Sequence, residues 1–260
     1  AGGAAINVLC RHHGIDLKVV DMGVAADLPV QAGLIHRKVG RGTRNFALEP
    51  AMTATEARSA IEAGMAVFLS EDDRQKIDIV GLGEMGIANT TSASAIISAV
   101  TGIPPARAVG RGTGVDDQGL AHKIEVLEKA LCFQAPDPDD GFDVLRKVGG
   151  YEIAGIAGAV LAAASRKTAV VLDGVISTAA GLIACLINPD VVGYLIAGHR
   201  SVEVAQKAAL ARLGLTPVID YHMRLGEGTG AAMTIDTVAA ACRIMAEMAS
   251  FEEAGISKNK

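Results

Sequence analysis

Two glycine-rich turns in this sequence each hold one glutamate: Val80-Gly-Leu-Gly-Glu-Met-Gly-Ile-Ala-Asn-Thr-Thr91 and Arg224-Leu-Gly-Glu-Gly-Thr-Gly230. A carboxylate in such a loop can take a proton from a substrate or steady a positive charge developing on it, and loops at the ends of parallel strands are where α/β sheets bind ligands. Gly81, Gly83 and Gly86 have the spacing of the dinucleotide fingerprint G-x-G-x-x-G. Two details argue against a dinucleotide. The acid expected about 20 residues further on is replaced by Ala106-Arg-Ala-Val-Gly-Arg111, which has arginines and no acid. Glu84 would also face a pyrophosphate at close range and repel it. An NAD(P)-dependent oxidoreductase using Gly81–Gly86 therefore stands as the alternative, behind a smaller nucleotide whose phosphate meets a helix start.

The elements that position these turns follow from periodicity and punctuation. The β-branched run Ile77-Asp-Ile-Val80 predicts a strand entering the first turn, and small residues from Asn89 to about Val100 predict a helix leaving it. Upstream, a helix is expected around residues 3–13, a strand at Leu17–Met22 and a loop around Gly40–Asn45. Thr53 and Glu56 have capping-box spacing for a helix running to about Ala63. Beyond Pro104 and Pro105 lies a glycine-rich loop, 110–119, whose Gly112-Thr113-Gly114 lacks the Gly-Lys-Ser/Thr of a P-loop. Helices are expected at Leu120–Cys132 and near Phe142–Lys147. Strands and helices then alternate: helix Glu152–Ser165, strand Ala169–Leu172 closed by Asp173-Gly174, helix to about Leu186, strand Val192–Ala197, helix Val202–Leu213, strand Thr216–Ile219 and a long helix to about Ser250. This alternation predicts an α/β fold on a mostly parallel sheet.

Half of the 260 residues are hydrophobic yet only 3% are aromatic, so the core must be built from small aliphatic side chains between glycine turns. The net charge of −5 offers no basic footprint for nucleic acid or an anionic membrane. Cys10, Cys132, Cys185 and Cys242 are far apart, with no C-x-x-C, and buried reduced thiols in a cytoplasmic protein are expected. His12 and His13 are adjacent and expected to point apart, and no metal site is expected. The apolar span Thr168–Leu186 is interrupted by Asp173-Gly174, Ser177, Thr178 and Gly181, which reads as strand, turn and helix, not as a membrane span.

At these turns the sequence closely resembles the nicotinate-nucleotide:dimethylbenzimidazole phosphoribosyltransferase family. The resemblance is carried by Gly83-Glu-Met-Gly-Ile-Ala-Asn-Thr-Thr91, Lys147-Val-Gly-Gly-Tyr-Glu152, Leu172-Asp-Gly174, Gly198-His-Arg-Ser201 and Met223-Arg-Leu-Gly-Glu-Gly-Thr-Gly-Ala-Ala232, in the family's order and across nearly the whole chain. It implies a Rossmann-like three-layer α/β/α domain over 14–225, a small helical domain drawn from 1–13 and 226–260, a homodimer, and no cofactor. Family members begin with a further helical segment and a strand ending in an Ala-Asp-His-Gly-Val-like motif, so the chain resembles an N-terminally shortened member.

The implied reaction moves 5-phosphoribose from nicotinate mononucleotide to 5,6-dimethylbenzimidazole with inversion, giving α-ribazole 5′-phosphate and nicotinate for the lower ligand of cobalamin. Nicotinate leaves a pyridinium neutral at nitrogen and needs no general acid. One benzimidazole nitrogen attacks C1′ while the other sheds a proton, so a single carboxylate base suffices where glycoside hydrolysis generally takes two. The resemblance assigns that base to Glu227; by position alone Glu227 is a carboxylate near a helix start, favoured by the dipole. Glu84 is the second catalytic candidate, holding the ribose hydroxyls or facing the cationic C1′. Gly86, Asn89, Thr90 and Thr91, with Lys123, are expected at the phosphate; Lys123 reads otherwise as a solvated helix lysine. Gly149 and Gly150 are expected to admit ligand close to the backbone, and Asp173, Gly174, Ser201 and Leu225 complete the expected substrate contacts. His199 reads either as a phosphate or nicotinate neighbour or as a structural histidine. A non-catalytic nucleotide-binding relative also stays open.

Overall fold

A computed structural model describes residues 2–110 and 116–255. Arg111 and the Gly112-Thr113-Gly114 stretch singled out above lie outside the described residues. The chain opens with α1 (Ala5–His13), followed by two short parallel strands, β1 (Val19–Asp21) and β2 (Leu34–His36). Next comes α2 (Ala54–Arg74), which starts on the expected capping box: Thr53 Oγ1 accepts from Glu56 N at 3.2 Å, and the Glu56 carboxylate accepts from Thr53 N at 2.7 Å. It runs well past Ala63 because Gly64 is a packing glycine and not a stop.

The strand β3 (Ile79–Leu82) enters the first glutamate turn and α3 (Asn89–Thr101) leaves it. Four helices follow: α4 (Pro105–Ala108), begun by a proline in the first turn, α5 (Asp117–Gln134), α6 (Gly141–Val148) and α7 (Tyr151–Ser165). The chain continues through β4 (Ala169–Leu172), α8 (Val175–Ile187), a 3₁₀ turn at Pro189–Tyr194, β5 (Leu195–Ala197), α9 (Ala205–Leu213) and α10 (Thr229–Glu247). β2 and α4 had no counterpart in the sequence expectation.

Two expected strands differ. The first half of Val192–Ala197 belongs to the 3₁₀ turn, which Asn188 caps by accepting from Asp190 N at 3.1 Å. Thr216–Ile219 is not a strand: Ile219 forms an isolated parallel bridge with His199 and Val218 N donates to the Ala197 carbonyl at 3.0 Å, but Pro217 has no N–H to extend the ladder.

β3, β4 and β5 form a parallel sheet with β4 at its centre, Gly81 opposite Val171 and Val171 opposite Ile196. Successive side chains alternate between its faces. On one face a Cβ at Gly81 would lie 3.1 Å from Ala231 and Ile235 of α10; on the other, Leu172 reaches Gly181 of α8. Helices therefore cover both faces of a Rossmann-like α/β/α arrangement. The core behind β4 holds Ile96, Ile97, Leu145, Ile153, Leu172, Leu182 and Ile183, all fully enclosed. There α2 and α7 cross backbone to backbone: a Cβ at Gly64 would fall 1.9 Å from the Gly155 carbonyl oxygen, and one at Gly158 2.0 Å from that of Ile61. α1 packs against α10.

Two smaller expectations are corrected. His12 and His13 do not diverge; their rings meet edge to face with centroids 4.7 Å apart, since neighbouring helical side chains of this length can still lean together. All four cysteines are free thiols, but only Cys10 is buried; Cys185 is half-buried, and Cys132 on α5 and Cys242 on α10 are exposed because each falls on its helix's solvent side. Among the described residues no helix is long and apolar enough to cross a membrane.

Candidate active site

The ends of β3 and β4 and the start of α10 bring the two glutamate turns into backbone contact. A Cβ at Gly83 would lie 2.2 Å from Gly228 N, and the Glu227 N–H donates to the Glu84 carbonyl at 3.2 Å. Gly226, Glu227 and Gly228 all take left-handed backbone angles, φ 79°, 63° and 87°. The glycines do so without strain, whereas Glu227 does not.

What holds the second turn is Asp173, buried at the end of β4. Its Oδ2 accepts from Gly228 N at 3.1 Å and its Oδ1 from Ala231 N at 3.0 Å, so a residue from another element caps α10. Burial raises the Asp173 pKa, opposed by His199 and by these amides. His199 is equally enclosed, its Nε2 3.8 Å from Asp173 Oδ1, and Gly230 makes room for its ring. Both side chains thus lie behind the turn, where they shape it.

Glu84 is half-buried, and its carboxylate accepts a hydrogen bond from Asn89 Nδ2. Burial pushes its pKa up to about 7 against that hydrogen bond, with Glu152 and Asp173 adding repulsion. Burial raises the Glu152 pKa as well, with Asn89 nearby opposing the shift. Glu152 was not among the expected site residues; the available signal was a glutamate in the first helical turn after Gly149-Gly150, inside one of the resembling blocks. Its carboxylate occupies the space at Gly150, where a Cβ would lie 2.8 Å from Oε2, while the Leu145 carbonyl occupies the space at Gly149.

The start of α3 forms the other side. Its N-cap is Ala88, at φ 65°, and the Thr91 N–H donates to the Ala88 carbonyl at 3.0 Å. Gly86 must stay small, since a Cβ there would lie 2.7 Å from Asn89 Nδ2. Lys123 is not a solvated lysine: its Nζ donates to Thr90 Oγ1 at 3.1 Å and to the Gly110 carbonyl at 3.4 Å. Burial lowers its pKa and Glu203 opposes this. Ser201 lies beside Glu203, its hydroxyl accepting from Glu203 N at 3.2 Å. Gly174 caps α8, and its carbonyl accepts from the Ser177 and Thr178 hydroxyls.

Glu227 Oε2 accepts from Ile6 N at 3.4 Å, at the start of α1. Met85, Ile87 and Leu225 leave apolar side chains exposed on the two turns. The arrangement offers two carboxyls for proton and cation chemistry, a helix start with a lysine for an anion, and apolar surface for a ring. Gly81 and Gly83 serve the approach of α10, which accounts for fingerprint spacing without a dinucleotide.

A phosphoribosyltransferase family model matches residues 1–256. The chain is 56% identical over 256 residues to the nicotinate-nucleotide–dimethylbenzimidazole phosphoribosyltransferase of Roseiflexus sp. (strain RS-1), covering 98% of this chain and 72% of that protein. It is 54% identical over 259 residues to the protein of the same name from Chloroflexus aggregans (strain MD-66 / DSM 9485), covering 100% and 73%. The crystal structure of CobT from Thermus thermophilus superposes with a TM-score of 0.94 at 40% identity, over 99% of this chain and 77% of that one. These relatives are transferases and give the oxidoreductase reading of Gly81–Gly86 no support.

Proposed function

The chain belongs to the phosphoribosyltransferase family, and from that premise we propose that it transfers 5-phosphoribose from nicotinate mononucleotide to 5,6-dimethylbenzimidazole with inversion, releasing nicotinate. The observation that carries this reading is the backbone contact between the two glutamate turns, which sets a carboxylate on each beside a helix start.

In this reading Glu227 takes the proton from the second benzimidazole nitrogen as the first attacks C1′. Glu84 faces the ribose and, once ionised, the positive charge that grows at C1′. The phosphate lies at the start of α3, against Gly86, Asn89, Thr90 and Thr91, with Lys123 as its cation; the Lys123–Thr90 hydrogen bond supports that placement. Gly149, Gly150, Gly174, Ser201 and Leu225 border the substrates, and Asp173 holds the base turn from behind. The reading extends to a cytoplasmic homodimer that makes the lower-ligand nucleotide of cobalamin. Its domains are 14–225, and 1–13 with 226–260. The packing of α1 on α10 supports that division, and exposed Ile244, Met245, Met248 and Phe251 support a self-associating surface.

Incubation with nicotinate mononucleotide and dimethylbenzimidazole, followed by chromatography, should yield α-ribazole phosphate and nicotinate in equal amounts. Absence of both products would overturn the proposal.

A further inference from the structure

A carboxylate with no part in the transfer chemistry lies at the phosphate end of the site, on the loop between β5 and α9. The backbone from His199 to Glu203 is stapled from below by Gln206, which is 1% exposed. Gln206 Oε1 accepts from Ser201 N at 2.7 Å, and its Nε2 donates to the His199 carbonyl at 3.0 Å and to Thr178 Oγ1 of α8 at 3.4 Å. The Ser201 hydroxyl accepts from Glu203 N at 3.2 Å, and the Glu203 carbonyl accepts from Gln206 N at 3.2 Å. The Glu203 side chain therefore leaves a fixed loop. Its carboxylate folds onto Gly110, where a Cβ would lie 1.7 Å from Oε2. The carbonyl of that same glycine accepts from Lys123 Nζ at 3.4 Å, and Thr90 Oγ1 accepts from the same ammonium at 3.1 Å. One glycine is thus shared by the cation placed at the phosphate and by an acid.

Resting on the placement of the substrate phosphate at Lys123, we propose that Glu203 is a specificity-determining residue, a resident anion with which any phosphate must compete for the Lys123 ammonium. A free phosphate ion has only that ammonium and the start of α3 to offset the repulsion of a fixed carboxylate. A nucleotide adds contacts at its ribose and its ring, so the same penalty holds back the bare ion and admits the ester. Burial lowers the Lys123 pKa and Glu203 opposes this, as an acid whose field reaches the ammonium should. Glycine at 110 is what lets the carboxylate lie there, since any side chain would take its place.

The test is inhibition of turnover by inorganic phosphate in wild type, Glu203→Gln and Gly110→Ala, with nicotinate mononucleotide varied at fixed dimethylbenzimidazole and constant ionic strength. Glu203→Gln removes the charge. Gly110→Ala puts a methyl where Oε2 lies and turns the carboxylate away on its own flexible stem. Each should lower the inhibition constant of phosphate about fivefold, the scale of one partly screened charge, and lower KM for nicotinate mononucleotide with it. An unchanged or higher constant in Glu203→Gln overturns the proposal, since a carboxylate that only steadied the loop would weaken phosphate binding when lost. If Glu203→Gln fails to fold, Gly110→Ala decides by the same sign. Turnover with unaltered phosphate inhibition sinks this inference alone; no turnover in wild type sinks the transferase reading and this inference with it.

Discussion

The backbone N–H of Glu227 donates to the carbonyl oxygen of Glu84 across 3.2 Å, so the proposed base and the proposed ribose carboxylate are fixed to one another through main chain. Their side chains are then free to act on different atoms of one substrate pair.

Glu227→Gln keeps the acceptor for Ile6 N and removes the proton acceptor. Binding of nicotinate mononucleotide, measured by calorimetry, should be near wild type, while kcat falls by roughly 10²–10⁴-fold. A variant turning over at the normal rate would show that the proton goes elsewhere.

Gly83→Ala drives a methyl into Gly228, whose nitrogen would sit 2.2 Å away. Backbone cannot yield as a side-chain tip can, so the turns must separate. Turnover should drop sharply, with a melting point lowered by overpacking of about 1–3 kcal/mol. Wild-type kinetics in this variant would mean that the contact does not set the site.

Stability should carry the mark of Glu84. Its pKa rises from 4.5 to about 7 on folding, so the folded state holds the proton more tightly. The associated stability is fully present below about pH 4.5 and is lost as pH rises through 7. Compared with wild type, Glu84→Gln should therefore melt relatively higher as pH climbs across that window, with the difference flat above it. Melting curves of both proteins from pH 4 to 8 check the sign.

Lys123→Met removes the cation beside Thr90. If the phosphate binds there, loss of a charge-assisted hydrogen bond of about 1.5–3 kcal/mol should raise KM for nicotinate mononucleotide roughly ten- to hundredfold. KM for dimethylbenzimidazole should change little, and steady-state kinetics with each substrate varied in turn separates the two.

Much of this was readable from local chemistry. The Thr53–Glu56 cap, the strand before Gly83 and the helix from Asn89 are short-range patterns, and each appears near its expected place. The length of α2 beyond Ala63 was not readable in this way, because a glycine such as Gly64 can break a helix or let another helix cross, and the two look alike until the partner helix is known. The same holds at the site. Glu84 and Glu227 stand out in their glycine-rich turns, but Asp173 as a cap for α10 and Glu152 as a neighbour of Asn89 depend on contacts between distant segments. Pro217 was the opposite case, a visible breaker inside a run read as strand.

The crossing of α2 over α7, where Gly64 meets the Gly155 carbonyl and Gly158 meets that of Ile61, leaves no compressible layer between the helices. A side chain can change rotamer to absorb a neighbour's growth, and a peptide carbonyl cannot. The vertical and lateral position of α7, and with it Gly150 and Glu152 at its start, is therefore referenced to a helix on the far side of the core. Drift in the sequence there is limited by volume before polarity: a single methyl at Gly158, in the middle of α7, should be felt at the start of the same helix, where Glu152 lies.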